Sequence, residues 1–277
     1  MSKIGFLDSG IGGLTVLEEF CQSNNSKTAV NELSEIIYLA DLKNLPYGEK
    51  TLERLTAILE ENLKWFAQQN ALMVVLACNT SSALLNEKIK QNFKQLYIFD
   101  LITALAEQID REHKNLDKIA VFSTLATHQS GAYISNLQKV LPQAQIISIA
   151  CPAFVPLIEN HLTESDFSLE QINKLALGCL QEYTQNLPFE PSAIVFGCTH
   201  YPLLKMAFAQ RFKNSLFLDP AQALAQQLQK YKFSDQTKFL SFSTAQAETF
   251  EAKLKALAKI LNCVQYFSNQ AQIAKTA

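Results

Sequence analysis

The chain has 277 residues, 48% of them hydrophobic, and a formal net charge of −2. That length holds two domains of ordinary size, each with its own core. The near-neutral charge leaves no electrostatic footprint for nucleic acid or an anionic membrane surface, and the longest apolar run, residues 71–78, is far too short to span a bilayer.

Apolar, β-branched runs bounded by polar residues read as buried strands, and 3.6-residue periodicity reads as helix. In chain order the sequence predicts a strand at 4–7, a helix at 13–21, a strand at 36–40 and, after a loop, a helix at 52–69. A strand at 72–77, a helix at 81–93 and a short strand at 97–99 follow. The middle carries a strand at 119–122, a helix at 130–140, a strand at 146–149, a helix at 169–185, a strand at 194–197 and a helix at 203–212. The last part predicts a helix at 221–229, a strand at 238–242 and a helix at 247–261.

Such alternation means parallel sheets joined by crossover helices. An internal repeat accompanies it. Ile4-Gly5-Phe6-Leu7-Asp8-Ser9 resembles Ile119-Ala120-Val121-Phe122-Ser123-Thr124. Two cysteine-ended strands repeat at a similar offset. The expected architecture is α/β, with two pseudo-symmetric domains. Each is a mainly parallel sheet flanked by helices, and the active site lies in the cleft between them. The first domain is expected to span 1–98 plus a returning tail, 222–277; the second spans 99–221.

The most informative residues are Cys78 and Cys198. They end Val74-Val75-Leu76-Ala77-Cys78-Asn79-Thr80 and Ile194-Val195-Phe196-Gly197-Cys198-Thr199-His200. Each lies at the C-terminal end of a buried strand, just before a helix. That edge of a parallel sheet is where open α/β folds bind ligands. A lone cysteine is most often a small buried hydrophobe, and Cys21, Cys179 and Cys263 are read that way. Cys179 is placed on an apolar helix face with Leu169, Ile172, Leu175 and Tyr183. Cys151, beside Pro152, is read as structural. Two thiols set alike among polar groups, one from each half, point instead to a two-sided acid/base site.

Other motifs surround this pair. Asp8-Ser9-Gly10-Ile11-Gly12-Gly13 is a strand end followed by a glycine-rich turn opening a helix, which favours an anion. Its spacing is not that of a dinucleotide fingerprint, and a helix cap by Asp8 or Ser9 is the bland alternative. His200 titrates near neutrality and can hold or pass a proton beside Cys198. Asn79, Thr80, Thr127 and Thr199 are expected at strand-to-helix turns, as caps or as a hydroxyl and amide cradle for a small substrate with more than one carboxylate. The arginines Arg54, Arg111 and Arg211 lie outside these motifs. The loop 41–48, with Pro46-Tyr47-Gly48, is long enough to be a lid.

Asp8-Ser9-Gly10-Ile11-Gly12-Gly13, Pro46-Tyr47-Gly48, Ala77-Cys78-Asn79-Thr80, Gly197-Cys198-Thr199-His200-Tyr201-Pro202-Leu203-Leu204 and the run from Cys151-Pro152 to Glu159 together resemble bacterial glutamate racemase, of the aspartate/glutamate racemase family. The resemblance runs from residue 4 to about residue 220, and Cys-Thr-His-Tyr-Pro is its most specific segment. In related aspartate racemases the second cysteine is usually followed by Thr-Glu, so Thr199-His200 favours glutamate; aspartate is the runner-up substrate. His128 departs from the family pattern. The resemblance implies cofactor-independent interconversion of L- and D-glutamate, supplying D-glutamate for peptidoglycan. It implies catalysis by Cys78 and Cys198, with Asp8 assisting the first, His200 assisting the second and Glu159 nearby. Asp8, Ser9, Tyr47, Gly48, Asn79, Thr80, Thr127, Thr199 and His200 are the expected substrate-binding residues. No metal and no cofactor is expected.

The expected partner is a small molecule, glutamate, with no nucleic acid and no membrane; a homodimer is the one assembly kept open. Six cysteines without tight framework spacing suit free thiols in a reducing cytoplasm. The first strand begins within a few residues of Met1, so neither a signal peptide nor an activator-linked N-terminal extension is expected. Two other classes remain in view. A zinc hydrolase using Cys78, Cys198 and His200 would lose activity on chelation, although close-paired ligand spacing is absent. A hinged amino-acid-binding module would keep its affinity with both thiols replaced by serine.

Overall fold

The computed structural model describes residues 2–23, 31–162, 168–245, 247–267 and 272–273. The first stretch runs β1 (Ser2–Asp8), α1 (Gly13–Gln22), β2 (Asn31–Ala40), α2 (Leu52–Gln68), β3 (Met73–Leu76), α3 (Asn79–Ser82), α4 (Glu87–Asn92), β4 (Tyr97–Asp100) and α5 (Leu101–Glu112). The second runs β5 (Lys118–Ser123), α6 (Leu125–Ser130), α7 (Ala132–Val140), β6 (Gln145–Ala150), α8 (Phe154–His161), α9 (Leu169–Thr184), β7 (Ala193–Gly197), α10 (Lys205–Arg211) and β8 (Leu216–Leu218). The chain closes with α11 (Pro220–Leu228), β9 (Tyr231–Lys232), β10 (Lys238–Ser243), α12 (Ala247–Leu257) and β11 (Gln272–Ile273).

Two sheets result. One has the order β11-β10-β2-β1-β3-β4, with β9 also pairing β2; the other is β6-β5-β7-β8. All these pairings are parallel. The block β2-β1-β3-β4 corresponds position for position to β6-β5-β7-β8, so the sequence repeat is a repeat of topology. Helices cover both faces, which is why β3 (Met73–Leu76) and β7 (Ala193–Gly197) are buried along their whole length and read as continuous apolar runs. Parallel pairing also puts Asp8, Cys78, Thr124 and Cys198 at the carboxyl edges of β1, β3, β5 and β7.

Several elements differ from the sequence-based reading. The helix expected at 81–93 is two short helices, α3 and α4. Asn86 restarts the second, its side chain accepting from the Ile89 N–H at 3.0 Å. A helix unforeseen at 101–112, α5, follows β4 directly, capped by Asp100 accepting from the Thr103 N–H at 2.8 Å. Its buried residues Leu101, Ile102, Leu105 and Ile109 carry helical spacing. Helix α8 was hidden by Pro152 and Pro156. Pro156 falls in its first turn, where a missing N–H costs nothing. On α9 the buried stripe is Ile172, Ala176 and Leu180; Leu175 is exposed and Cys179 half-buried, so the apolar face lies one position round from the expected one. The last helix ends at Leu257, and a 3-10 turn (Asn262–Tyr266) follows.

Candidate active site

The carboxyl edges of the two sheets meet at a cleft lined by Ser9, Tyr47, Gly48, Cys78, Asn79, Thr80, Cys198, Thr199 and His200, together with Thr124 and Cys151. Nine of the sequence-derived site residues therefore share one surface. Asp8, Glu159 and Thr127 stand behind it, touching its lining residues.

Cys78 follows β3 and precedes α3, almost fully buried. Burial, helped by the nearby Asp8 carboxylate, pushes its thiol up to about 12. Asp8 is itself buried, and that burial raises its carboxyl above the ordinary range against the pull of His200 and the Gly10 and Gly13 N–H groups. The Gly10 N–H donates to Asp8 Oδ1 at 2.8 Å, and the Thr199 hydroxyl reaches Asp8 Oδ2 at 3.5 Å. Asp8 thus braces the glycine turn and does not cap α1, whose cap position is Gly12 without a side-chain cap. Gly12 is needed for a different reason. A Cβ there would collide with Thr199 Oγ1 and His200 Nδ1, so only glycine lets the start of α1 approach the opposite half this closely. Thr15 then donates to the Thr199 carbonyl at 2.9 Å.

Cys198 has a different setting. Its sulfur lies 3.8 Å from His200 Nδ1, and His200 Nε2 lies 2.8 Å from Glu159 Oε1. Burial opposes the charge on Glu159, but the hydrogen bond and charge of His200, with Lys253, hold its carboxyl at about 2. A carboxylate this acidic only accepts, so Nε2 is the donor. Burial also opposes charging His200; its contacts to Cys198 and Glu159 prevail and raise the imidazole well above its usual range. Lys253 Nζ donates to Glu159 Oε2 from α12. The result is a chain Cys198–His200–Glu159–Lys253, almost wholly buried.

The polar cradle is also organised across the halves. The hydroxyls of Thr80, Thr124 and Thr127 form a triangle with edges of 3.1, 3.1 and 3.0 Å. Thr127 lies within α6, not at its start. Thr124 is the cap, accepting from the Thr127 N–H at 3.3 Å, and it is Thr124 that reaches the cleft. Tyr133 donates to Asn79 Oδ1, leaving the amide NH₂ as the donor of Asn79. Tyr47 contributes its ring to the wall, since its hydroxyl donates to Asp41 Oδ2 at 2.6 Å. Asp41 also accepts from Asn62 at 3.1 Å and from Thr244 at 2.7 Å, which fixes the 41–48 loop to the first sheet. Gly48 lies against Thr124, so the same loop touches the second half.

Sequence reasoning missed Thr124, Asp41, Tyr133 and Lys253. Thr124 was legible, as a strand-end threonine followed three residues later by Thr127. Lys253 carries no local signal, because its partner is 94 residues away in sequence. Cys151, read as structural, is fully buried yet stands in the cleft wall. Among the described residues no group of three or more His, Cys, Asp or Glu could hold a metal ion. No described helix is long and apolar enough to cross a membrane.

No family model matches the chain. Its fold superposes on the crystal structure of glutamate racemase from Francisella tularensis in complex with D-glutamate, with a TM-score of 0.80 at 24% identity over 99% of this chain and 98% of that one. The fold is that of the two-domain racemases. In sequence, the chain is 35% identical over 232 residues to the glutamate racemase of Microcystis aeruginosa, covering 83% of this chain and 76% of the relative. It is 37% identical over 221 residues to that of Synechocystis, covering 79% and 73%. The chain belongs to the glutamate racemase family.

Proposed function

We propose that this protein interconverts L- and D-glutamate without a cofactor, using Cys78 and Cys198 as the two acid/base groups, and that it supplies D-glutamate for peptidoglycan in the cytoplasm. The observation that carries this reading is the presence of both strand-end thiols in the wall of one cleft, each from a different sheet. Inverting a carbon centre requires removal of its proton on one face and delivery on the other. One thiolate takes the Cα proton while the opposite thiol gives one, and the reverse direction exchanges the roles. By family resemblance Cys78 takes the proton from D-glutamate and Cys198 from L-glutamate.

Ser9, Asn79, Thr80, Thr124 and Thr199 then bind the amino and carboxylate groups, with Tyr47 and Gly48 closing the wall and Thr127 holding Thr80 and Thr124 in place. Among the described lining residues there is no Arg or Lys, so hydroxyl, amide and backbone N–H donors carry the recognition. Asp8 serves the Cys78 side, and His200 with Glu159 serves the Cys198 side. The substrate lies between two lobes, 1–98 with 222–277 and 99–221. Incubation with L-glutamate in deuterated water tests the reading. Deuterium at Cα together with growth of the D-isomer is the expected result. Exchange of L-aspartate in place of L-glutamate, or no exchange of either, would overturn it.

A further inference from the structure

Lys253 lies on the helix α12, which packs on β10 of the first sheet, whereas Glu159 lies on α8 beside the second. Their ion pair therefore bridges the halves, with side chains only 12% and 8% exposed. A lysine ammonium held at that depth needs an anion, and Glu159 supplies it with one carboxylate oxygen while the other takes His200. We infer that Lys253 is a positioning residue for the Cys198 half of the site. It holds Glu159 in place across the cleft and, through Glu159 and His200, sets the proton affinity of Cys198 without setting that of Cys78.

The inference rests on the racemase reading for its meaning, but its physics is independent of turnover. Among the described residues, the titratable groups near the arm include Asp8 at the end of β1, Cys78, Cys151, Tyr38, Tyr133 and Tyr201, with Glu49 in the same cleft wall. Burial raises the thiols of Cys78 and Cys151 and the three phenols, which leaves them neutral near pH 7. The charged members of the arm itself are Glu159, His200 and Lys253, with Asp8, when ionised, next to them. Without Lys253 the Glu159 carboxylate is no longer held against His200, the imidazolium beside the near end is less firmly kept, and a thiolate at Cys198 is disfavoured. Cys78, at the far side and flanked by Asp8, feels little of it.

Alkylation of the folded protein by iodoacetamide, followed peptide by peptide by mass spectrometry over a pH series, reads each thiol directly. In Lys253→Met the midpoint for Cys198 moves up by about one pH unit, and that for Cys78 stays; Lys253→Arg restores the wild-type curve. In turnover the fixed equilibrium constant makes kcat/KM move equally for the two enantiomers, so the readout is kcat: its acid limb moves up for L-glutamate and not for D-glutamate. Equal movement of both thiols, or no movement of Cys198, overturns the inference. Because an unpaired Glu159 can itself unfold the chain, Glu159→Gln is compared with the Glu159→Gln/Lys253→Met double variant, which strands no charge. The two curves should coincide, and a further shift in the double variant overturns the inference as well. If wild-type protein shows no turnover, the racemase reading fails while the alkylation curves still decide the role of Lys253.

Discussion

The sulfur of Cys198 and Nδ1 of His200 stand 3.8 Å apart, while the thiol of Cys78 lies near a buried carboxylate, Asp8. The two thiols are chemically alike and their neighbours are not. An imidazole bound to an anion stabilises a thiolate beside it. A carboxylate disfavours one unless the pair shares a proton.

Cys78→Ser and Cys198→Ser should each abolish racemisation, by at least about the 10²–10⁴ usual for a general acid or base. Circular dichroism of the glutamate solution follows the loss. Near-normal turnover by either variant would remove the two-thiol mechanism.

Asp8→Asn should mainly lower kcat starting from D-glutamate, and His200→Asn kcat starting from L-glutamate. The equilibrium constant cannot change, so each difference in kcat appears with a compensating difference in KM. Both directions are measured for both variants, with Cα-deuterium isotope effects confirming slower proton transfer. Equal losses in both directions would separate Asp8 from Cys78 and His200 from Cys198 while sparing the thiols.

Stability should depend on Glu159 in acid. Its carboxyl sits at about 2 in the folded chain against an ordinary 4.5. A depressed carboxylate stabilises the fold above its unfolded value and loses that contribution as pH falls through its folded value. The relevant window is therefore about pH 4.5 down to about 2, and the amount at stake is of order 3 kcal/mol. His200 has the opposite sign. Its raised value stabilises the fold below the ordinary imidazole range, and that contribution is lost as pH rises through the folded value. Urea midpoints at pH 6 and pH 3 should differ less in Glu159→Gln than in wild type. Equal differences would contradict the ion pair.

Gly12→Ala should impair turnover more than folding. The new methyl meets Thr199 and His200, and overpacking of this kind costs about 1–3 kcal/mol. The strain falls on the residues that hold Cys198, so a large loss of kcat with a modest fall in melting temperature is expected. Unchanged kinetics would show that the close approach of α1 does not matter.

How much of this was legible follows from where each signal sits in the chain. The strands before Cys78 and Cys198 announce themselves, because a strand buried on both faces must be apolar throughout and its polar successor marks the sheet edge. Helix α5 was legible too, from Asp100 and the spacing of Leu101, Leu105 and Ile109, but a domain break placed near the same residues obscured it. Pro156 hid α8, since proline reads as a breaker unless its place in the first turn is known.

The sequence by itself determined the parallel α/β class, the repeat of one half in the other, and the pair of thiols at equivalent edges, since these rest on local periodicity and on likeness between segments. Only the tertiary structure decided which groups surround each thiol. The triangle of Thr80, Thr124 and Thr127, the occupation of the Tyr47 hydroxyl by Asp41, and the reach of Lys253 to Glu159 join residues far apart in the chain. No local pattern encodes such pairs. Their partners are chosen by how two sheets pack at their carboxyl edges, and by the requirement that every charge buried there finds its opposite.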